Sequence, residues 1–427
     1  MQGNLKNLTA DDPALEHMAS AQEIDAATLG QLLTIRRDLH AHPELQYQEQ
    51  RTADRIAAYL TALGLPIHRG LGQTGLVASI HGRHRTTTDP GQAIGIRADM
   101  DALPIQELND FAHRSAYAGR MHACGHDGHV TMLLGAATLL SRHRDFDGTV
   151  HLIFQPGEEG GAGARAMMND GLFSRFPCQA VFALHNWPAL PVGQMGVRVG
   201  AIMASANRFA IHVKGRGGHA AQPHTALDPI PIACAIVGQL QSLVSRGVDP
   251  LDSAVLTVGK IESGTAENII PDTASIYGTC RTLLPETLER VLAGIERIAT
   301  HVAAAHSATA EVTVKPGYPS TRNHPKEAGF MAAVMRDVVG PANAHPDVAP
   351  AMTSEDFAFM LESIPGAYGF IGNGPNGQAG VNLHSPAYDF NDDNIAIGTR
   401  FWGCLVRRWF APATSRADGR VGGHSES

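Results

Sequence analysis

Several features that mark specialised classes of protein are missing from this sequence of 427 residues. The five cysteines are odd in number and widely scattered, which excludes a disulfide framework of the kind seen in small secreted domains. No stretch of about twenty apolar residues is present, so a membrane span is not expected. The N-terminal residues lack the basic-then-apolar layout of a secretory signal. Together these absences predict a cytoplasmic protein.

The charge and composition narrow the possible partners further. The net charge is −8 and no run of lysine or arginine occurs, so neither a nucleic acid nor a membrane is an expected partner. Hydrophobic residues make up 44% of the chain and charged residues 17%, an ordinary globular balance. At about 100–200 residues per domain, the length predicts two or three domains, or one large domain that carries an insertion.

Short apolar runs predict the strands of a buried sheet. The gaps between these runs are long enough for helices, such as residues 130–142, and strands that alternate with helices are typical of a parallel or mixed α/β sheet. The predicted strands are GLVASI (75–80), AIGIRA (93–98), TVHLIF (149–154) and AVFAL (180–184).

The pattern changes after Ala204, where strands and helices follow the order βαββαβ. This order is typical of a ferredoxin-like domain. We therefore expect residues 204–317 to form a separate domain, inserted into a larger α/β domain made of residues 31–203 and 318–411. Residues 1–30 are interpreted as an N-terminal extension, and the polar tail 412–427 as disordered.

The stretch MHACGHDGHV, residues 121–130, holds one cysteine and three histidines. Cys124 and His126 flank a glycine just before a predicted helix, whose partially positive N-terminus would favour a thiolate. Thiolate and imidazole suit a metal such as zinc, but they also suit a reactive thiol with a histidine partner. This stretch alone leaves a metal site, a reactive thiol and a chance cluster open.

Polar side chains follow three of the predicted strands, at the point where each strand ends. Ligands and catalytic groups in open α/β sheets gather beyond the carboxyl ends of the strands. We therefore expect one shared site, which also includes the cysteine–histidine stretch and the loop NLHSPAYDF around His384. The strand-end residues are Asp99 and Asp101, Glu158 and Glu159, and His185.

One thiolate with several imidazoles and carboxylates suits an open site for two divalent ions better than a closed structural zinc site. Two ions about 3.5–4 Å apart serve hydrolysis, because they lower the pKa of a shared water and polarise a carbonyl. The pair Glu158–Glu159 would supply one ligand and one general base, but the spacing does not say which is which. The alternatives are a thiol enzyme with Cys124 as nucleophile, and a noncatalytic binding protein, which would be expected to lack a base or ligands.

These motifs, taken in order, resemble the M20 metallopeptidase family, and most closely its amidohydrolase branch. That branch includes hippurate hydrolases, N-acyl-amino-acid aminoacylases and indole-acetyl-amino-acid hydrolases. The resemblance covers about Arg36 to Trp402. The motifs are RRDLHAHPEL, ADMDALPIQE, MHACGHDGHV, FQPGEEGGAGA, LHNWP, KGRGGHAAQPH, AENIIPD and NLHSPAYDF.

The resemblance implies a mixed-sheet, zinc-peptidase-like catalytic domain with two divalent metal ions, which could be Zn, Mn, Co or Ni. It also implies that the ferredoxin-like insertion is a lid that makes a homodimer. The implied activity is hydrolysis of an N-acyl amino acid to a carboxylate and a free amino acid. A dipeptidase, carboxypeptidase or diamino-acid deacylase is the alternative within the family.

The resemblance also assigns roles to individual residues. Glu158 would be the general base, and Asp101 would orient a ligand histidine. Asp99 stands where related branches carry a histidine. In the lid, His219 would reach across the dimer to stabilise the oxyanion, while Asn268 and Arg281 would hold the substrate. The implied metal ligands are Cys124, His126, Glu159, His185 and His384.

Overall fold

The computed structural model describes residues 24–83, 92–374 and 381–411. The helices are α1 (Ala26–Ala41), α2 (Gln50–Ala62), α3 (His126–Arg142), α4 (Glu158–Gly161), α5 (Gly163–Asn169), α6 (Leu172–Arg175), α7 (Pro229–Gly247), α8 (Pro285–Ala305), α9 (Pro325–Val339), α10 (Ala358–Ser363) and α11 (Asn394–Trp409), with a 3₁₀ turn at Pro223–Thr225. The strands are β1 (Ile67–Leu71), β2 (Gly75–His81), β3 (Ala93–Asp99), β4 (Thr149–Gln155), β5 (Ala180–Pro191), β6 (Met195–Gly196), β7 (Gly200–Met203), β8 (Asn207–Lys214), β9 (Gly218–His219), β10 (Ala254–Ser263), β11 (Ile269–Ile270), β12 (Thr273–Thr282), β13 (Thr309–Pro316), β14 (Thr321–Asn323), β15 (Ala344–His345) and β16 (Gly366–Gly374).

The described residues form two compact units. The first comprises the residues up to Val197, the segment His324–Val348 and the residues from Met360 onward. The second comprises Arg198–Asn323 and Ala349–Phe359. The predicted domain boundaries stay a prediction, and the segment Ala349–Phe359 groups with the second unit, although it was assigned to the catalytic domain.

The first unit is built on an eight-stranded mixed sheet with the order β1-β2-β4-β3-β5-β16-β6-β15. Strands β4, β3, β5 and β16 are parallel to one another, and β2 joins them antiparallel. Every residue of β3 and β4 is buried, as expected for central strands covered on both faces. The four strands predicted from apolar runs are confirmed, and so is the mixed α/β class.

Two helix boundaries differ from the sequence expectation. Helix α1 begins at Ala26, so residues 26–30 belong to the first helix and not to an extension. Asp25 caps this helix, since its carboxylate accepts the Thr28 N–H at 2.7 Å. The rest of the predicted extension, residues 1–23, lies outside the described residues, as does the predicted disordered tail 412–427.

Helix α3 begins at His126, four residues before its predicted start. Apolar periodicity begins only at Val130, because the first turn carries the polar sequence HDGH. That turn is nevertheless buried, with His126 and Asp127 each 1% exposed. The first turn therefore brings polar groups into the interior, where they need polar or ionic partners.

The second unit contains a four-stranded antiparallel sheet with the order β10-β12-β8-β13. Helices α7 and α8 pack against it, and the apolar side chains of Ile211, Ile236 and Ile295 are fully buried in its core. The elements β8, α7, β10, β12, α8 and β13 follow one another along the chain. This is the predicted βαββαβ order, and the ferredoxin-like topology is confirmed.

Among the helices of the described residues, none is long and apolar enough to cross a membrane.

Candidate metal centre

The register of the central strands brings the predicted site residues to one edge of the sheet. Arg97 of β3 pairs with Ala183 of β5, so Asp99 and His185, each two residues further on, lie level with each other. Asp99 also pairs with Gln155 of β4, and the chain then continues into the turn that carries Glu158 and Glu159. Because these strands are parallel, their carboxyl ends meet at the same edge.

Short distances connect all five proposed metal ligands. Donor atoms of Cys124, His126 and Glu159 lie within 4.8 Å of one another. The Cys124 Sγ lies 3.4 Å from His185 Nε2, and His384 Nε2 lies 3.1 Å from Glu159 Oε1. One thiol, three imidazoles and one carboxylate from distant parts of the chain therefore converge.

His384 is held at this centre by its backbone. Its N–H donates to the Ala123 carbonyl oxygen at 2.8 Å, which places it beside the Cys124 segment. Its φ of 63° is a left-handed value that is uncommon for a residue other than glycine. Strained backbone of this kind concentrates at functional sites, where the surroundings enforce it.

The surroundings of His126 fit a bound cation. The side chain is buried, and neither ring nitrogen has a hydrogen-bond partner among the described residues. Carboxylate oxygens of Asp101 and Asp99 lie 3.4 and 3.6 Å from its two nitrogens. Burial alone would lower the pKa of His126, but the negative charges of Asp99, Asp101 and Glu159 raise it to about 10. The protein therefore stabilises positive charge at His126. A divalent ion bound by thiolate, imidazole and carboxylate ligands would meet the same favourable environment.

The Cys124 thiol is not activated by the protein alone. Burial raises its pKa well above the ordinary value, and the carboxylates of Glu159, Glu158 and Asp99 raise it further. The expectation that the start of α3 favours a thiolate is therefore wrong for the protein without a cation, because burial and the neighbouring carboxylates both favour the neutral thiol. A coordinating metal ion deprotonates such a thiol outright.

His185 is oriented by its own backbone neighbour. Its Nδ1 lies 2.6 Å from the Asn186 carbonyl oxygen, which can only accept a hydrogen bond. Nδ1 therefore carries the proton, and Nε2 is left with its lone pair toward Cys124. Metal-binding histidines are typically held in this way, with one ring nitrogen donating to a carbonyl or carboxylate.

His129 supports the centre and was missed from the sequence. Its Nδ1 lies 2.6 Å from Asp99 Oδ1, and its Nε2 accepts the Asn186 N–H at 3.0 Å. Since both ring nitrogens are engaged, His129 orients Asp99 and Asn186 and is not a ligand. Its position three residues after His126 on a helix, hence on the same face, is the signal that could have identified it.

Asp101 holds the turn that carries the two glutamates. Its Oδ1 accepts the Glu158 N–H and its Oδ2 accepts the Glu159 N–H, both at 3.0 Å. Its Oδ1 also lies 3.4 Å from His126 Nδ1. Asp101 therefore contacts both a proposed ligand histidine and the backbone of the proposed base.

A buried network of charged side chains contacts the first turn of α3. It includes Arg36 and His40 of the motif RRDLHAHPEL. The Asp127 carboxylate lies 3.2 Å from Arg36 Nε and 2.8 Å from His40 Nδ1. His40 Nε2 lies 3.2 Å from Glu107. Burial would lower the pKa of His40, but Asp127 and Glu107 raise it to about 9. A charged His40 and Arg36 thus fix Asp127, the neighbour of His126 in the chain.

The proposed lid residues lie in the second unit. His219 pairs with Ile269 in the short ribbon of β9 and β11, and the Ala220 N–H donates to the Asn268 carbonyl oxygen at 3.1 Å. His219 and Asn268 are therefore neighbours, and both are exposed. Arg281 lies on β12 and is partly buried, and its Nη1 is 3.5 Å from the Met352 carbonyl oxygen, a long distance for a hydrogen bond.

Sequence comparisons place these features in a known family. The model of Peptidase family M20/M25/M40 matches residues 95–408. IAA-amino acid hydrolase ILR1-like 5 of Arabidopsis thaliana is 38% identical over 390 residues, which cover 90% of this chain and 88% of that protein. Hippurate hydrolase of Campylobacter jejuni is 38% identical over 380 residues, which cover 89% of this chain and 97% of that protein.

A solved structure agrees with this placement. The Bacillus subtilis YXEP protein, described as a dinuclear metal binding peptidase from the M20 family, superposes with a TM-score of 0.79. It is 34% identical, and the match covers 90% of this chain and 99% of that chain. The resemblance seen in the sequence motifs is confirmed: the chain belongs to Peptidase family M20/M25/M40.

Proposed function

We propose that the protein is a metal-dependent amidohydrolase that cleaves the amide bond of N-acyl amino acids, giving a carboxylate and a free amino acid. The observation that carries the proposal is the convergence of the Cys124 thiol, three imidazoles and the Glu159 carboxylate. The names of the relatives, hippurate hydrolase and IAA-amino acid hydrolase, support this substrate class.

The proposed ligands would hold two divalent ions, and Zn, Mn, Co and Ni all accept this mixture of donors. When bound, such ions polarise an amide carbonyl and lower the pKa of a water molecule. The proposed ligands are Cys124, His126, Glu159, His185 and His384.

The proposed base is Glu158, which precedes the ligand Glu159. The Asp101 carboxylate fixes the amides of both residues, so their side chains keep a defined relation to each other. The Glu158 carboxylate, 7% exposed, takes a proton from the attacking water and later delivers it to the departing amine nitrogen.

Arg281 and Asn268 are proposed to hold the substrate, with Arg281 binding its free carboxylate. Arg281→Ala would remove the charge-assisted hydrogen bond between the guanidinium and the substrate carboxylate. We therefore expect it to raise KM for N-acyl amino acids by about 10- to 100-fold. The KM for the matching N-acyl amino acid amides, which lack the carboxylate, should change little. Steady-state kinetics on the paired substrates measure this difference. An equal rise in KM for both would contradict the assignment.

We further propose that residues 204–317 form a lid, through which a homodimer assembles, and that His219 stabilises the oxyanion of the partner's site. We expect His219→Ala to lower kcat by about 100-fold or more. Mixing it in equal amounts with Glu158→Gln subunits should restore about a quarter of wild-type activity, because half of the dimers are mixed and each has one intact site. If reassociated mixtures show no recovery, His219 acts within its own chain. A cytoplasmic location stays a prediction.

The direct test of the function is hydrolysis of a panel of N-acetyl and N-benzoyl amino acids, dipeptides and acylated diamino acids by metal-loaded protein. We expect the N-acyl amino acids to be turned over fastest. Faster turnover of dipeptides or diamino acid derivatives would favour the alternative activities within the family. A Cys124 thiol hydrolase is disfavoured, since the pKa of Cys124 is raised and not lowered.

A further inference from the structure

We infer that Glu49 is a positioning residue for the catalytic turn, which it holds by accepting the Gly157 N–H next to Glu158. This inference rests on the proposed function of Glu158 and Glu159. The Glu49 Oε1 accepts the Gly157 N–H at 2.9 Å, and its Oε2 accepts the Thr74 hydroxyl at 2.6 Å. Glu49 is completely buried.

With Asp101, Glu49 binds three consecutive backbone amides. The Gly157 N–H donates to Glu49, and the Glu158 and Glu159 N–H groups donate to Asp101. Two buried carboxylates therefore fix the start of the turn that carries the proposed base and a proposed ligand.

The residues just before Glu49 contact the other end of the same turn. The Tyr47 hydroxyl donates to the Gly161 carbonyl oxygen at 2.6 Å. A Cβ added at Gly161 would lie 2.7 Å from Gln46 Oε1 and 2.9 Å from Tyr47 Cε2, so a larger residue there would displace these side chains. Tyr47 itself has a left-handed φ of 61°. The segment Glu44–Glu49 therefore contacts both ends of the turn from Gly157 to Gly161, through Glu49 and Tyr47.

The same segment is tied to the end of β3. The Ala102 N–H donates to the Glu44 carbonyl oxygen at 2.8 Å, and Leu45 and Ala102 form a parallel bridge. Since Ala102 follows Asp101, the segment connects both carboxylates that hold the turn. Ala162, directly after the turn, has a positive φ of 55°, a conformation that a residue other than glycine adopts only where its surroundings enforce it.

Helix capping does not explain a buried glutamate at position 49. Glu49 occupies the N-cap position of α2, where serine, threonine, aspartate or asparagine is preferred, and its side chain makes no capping hydrogen bond. The first turn of α2 is capped instead by the Glu44 carboxylate, which accepts the Arg51 and Thr52 N–H groups at 3.1 and 2.8 Å. The Glu49 carboxylate is thus directed to the catalytic turn.

The test compares Glu49→Ala, Glu49→Gln and Tyr47→Phe with Glu44→Ala, which removes a helix cap in the same segment but no contact to the turn. For Glu49→Ala we expect kcat to fall about 10- to 100-fold with KM within about 2-fold. Glu49→Gln should stay within about 3-fold of wild type, because the amide oxygen can accept the Gly157 N–H. Tyr47→Phe should lose activity several-fold, and Glu44→Ala should lose thermal stability without loss of kcat.

A second readout is independent of activity. Amide hydrogen exchange of a peptide that contains residues 157–161, measured on metal-free protein, should be faster in Glu49→Ala and Tyr47→Phe and unchanged in Glu49→Gln and Glu44→Ala. Unchanged exchange in Glu49→Ala, or a loss of kcat in Glu49→Gln equal to that in Glu49→Ala, overturns the inference. If Glu49→Ala does not fold, Glu49→Asp, whose shorter side chain withdraws the carboxylate from the Gly157 N–H, decides by the same two readouts. If the wild type hydrolyses no N-acyl amino acid, the proposed function fails, while the exchange data still test the positioning role.

Discussion

Replacing Glu158 with glutamine lowers kcat by about 10³- to 10⁴-fold while both metal ions stay bound, if Glu158 is the general base. Glutamine keeps the size of the side chain and one acceptor oxygen, but it cannot take up the proton. The Asp101 hydrogen bonds to the turn involve backbone amides, so they are unchanged by the substitution. The measurement is single-turnover and steady-state kinetics together with metal analysis of the same preparation.

The matched control for this variant is Glu159→Gln, one residue further on. Glu159 is the proposed ligand, and its Oε1 lies 3.1 Å from His384 Nε2. Glu159→Gln should lose metal as well as activity, whereas Glu158→Gln should lose activity alone. Near-normal turnover of metal-loaded Glu158→Gln would show that the base assignment is wrong. Loss of metal from Glu158→Gln with retention in Glu159→Gln would reverse the two roles.

Removing the metal ions is expected to reduce activity to the background level, and adding a divalent metal should restore it. Without a metal ion, the negative charges of the carboxylates around Cys124 and His126 lose the cation that would neutralise them. The protein should therefore have a lower Tm after chelation, since a ligand that binds only the folded state stabilises it. Activity assays and thermal unfolding before chelation, after chelation and after add-back measure both effects.

Metal affinity should also rise with pH. The pKa of Cys124 is raised by burial and by the neighbouring carboxylates, so a proton must leave the thiol when it coordinates a metal. Lower pH therefore opposes metal binding, and higher pH favours it.

A thiol hydrolase would respond differently to alkylation and to chelators, because it would be inactivated by alkylation of Cys124 and would be indifferent to chelators. Full activity in the presence of a strong chelator would contradict the metal-dependent mechanism.

The sequence predicted the parts of the fold that depend on apolar patterning. The central strands could be predicted because they are covered on both faces and therefore form short continuous apolar runs. The elements of the second unit could be predicted because their buried side chains repeat with the period of a strand or a helix. Several residues of the candidate site could be identified too, since Asp99, Glu158, Glu159 and His185 each follow an apolar run in the sequence. Such positions meet at one edge of a parallel sheet.

The sequence did not reveal the polar groups that support the centre. Three of these groups are the side chains of His129, Arg36 and Glu49, which are buried and form ion pairs or hydrogen bonds. They lie in helices or loops whose sequence pattern gives no sign of burial. The early start of α3 was missed for the same reason, because its first turn is polar and yet lies inside. Their partners are 25 or more residues away, as with Glu49 and Thr74, and only the folded chain brings them together.

Metal analysis of the purified wild-type protein and of Cys124→Ala tests the central claim most directly. We expect two equivalents of a divalent transition metal per wild-type chain, and a clear loss of metal in Cys124→Ala, which removes the thiol closest to His185. A wild-type protein that binds no stoichiometric transition metal, even after exposure to Zn, Mn, Co and Ni, would contradict the account.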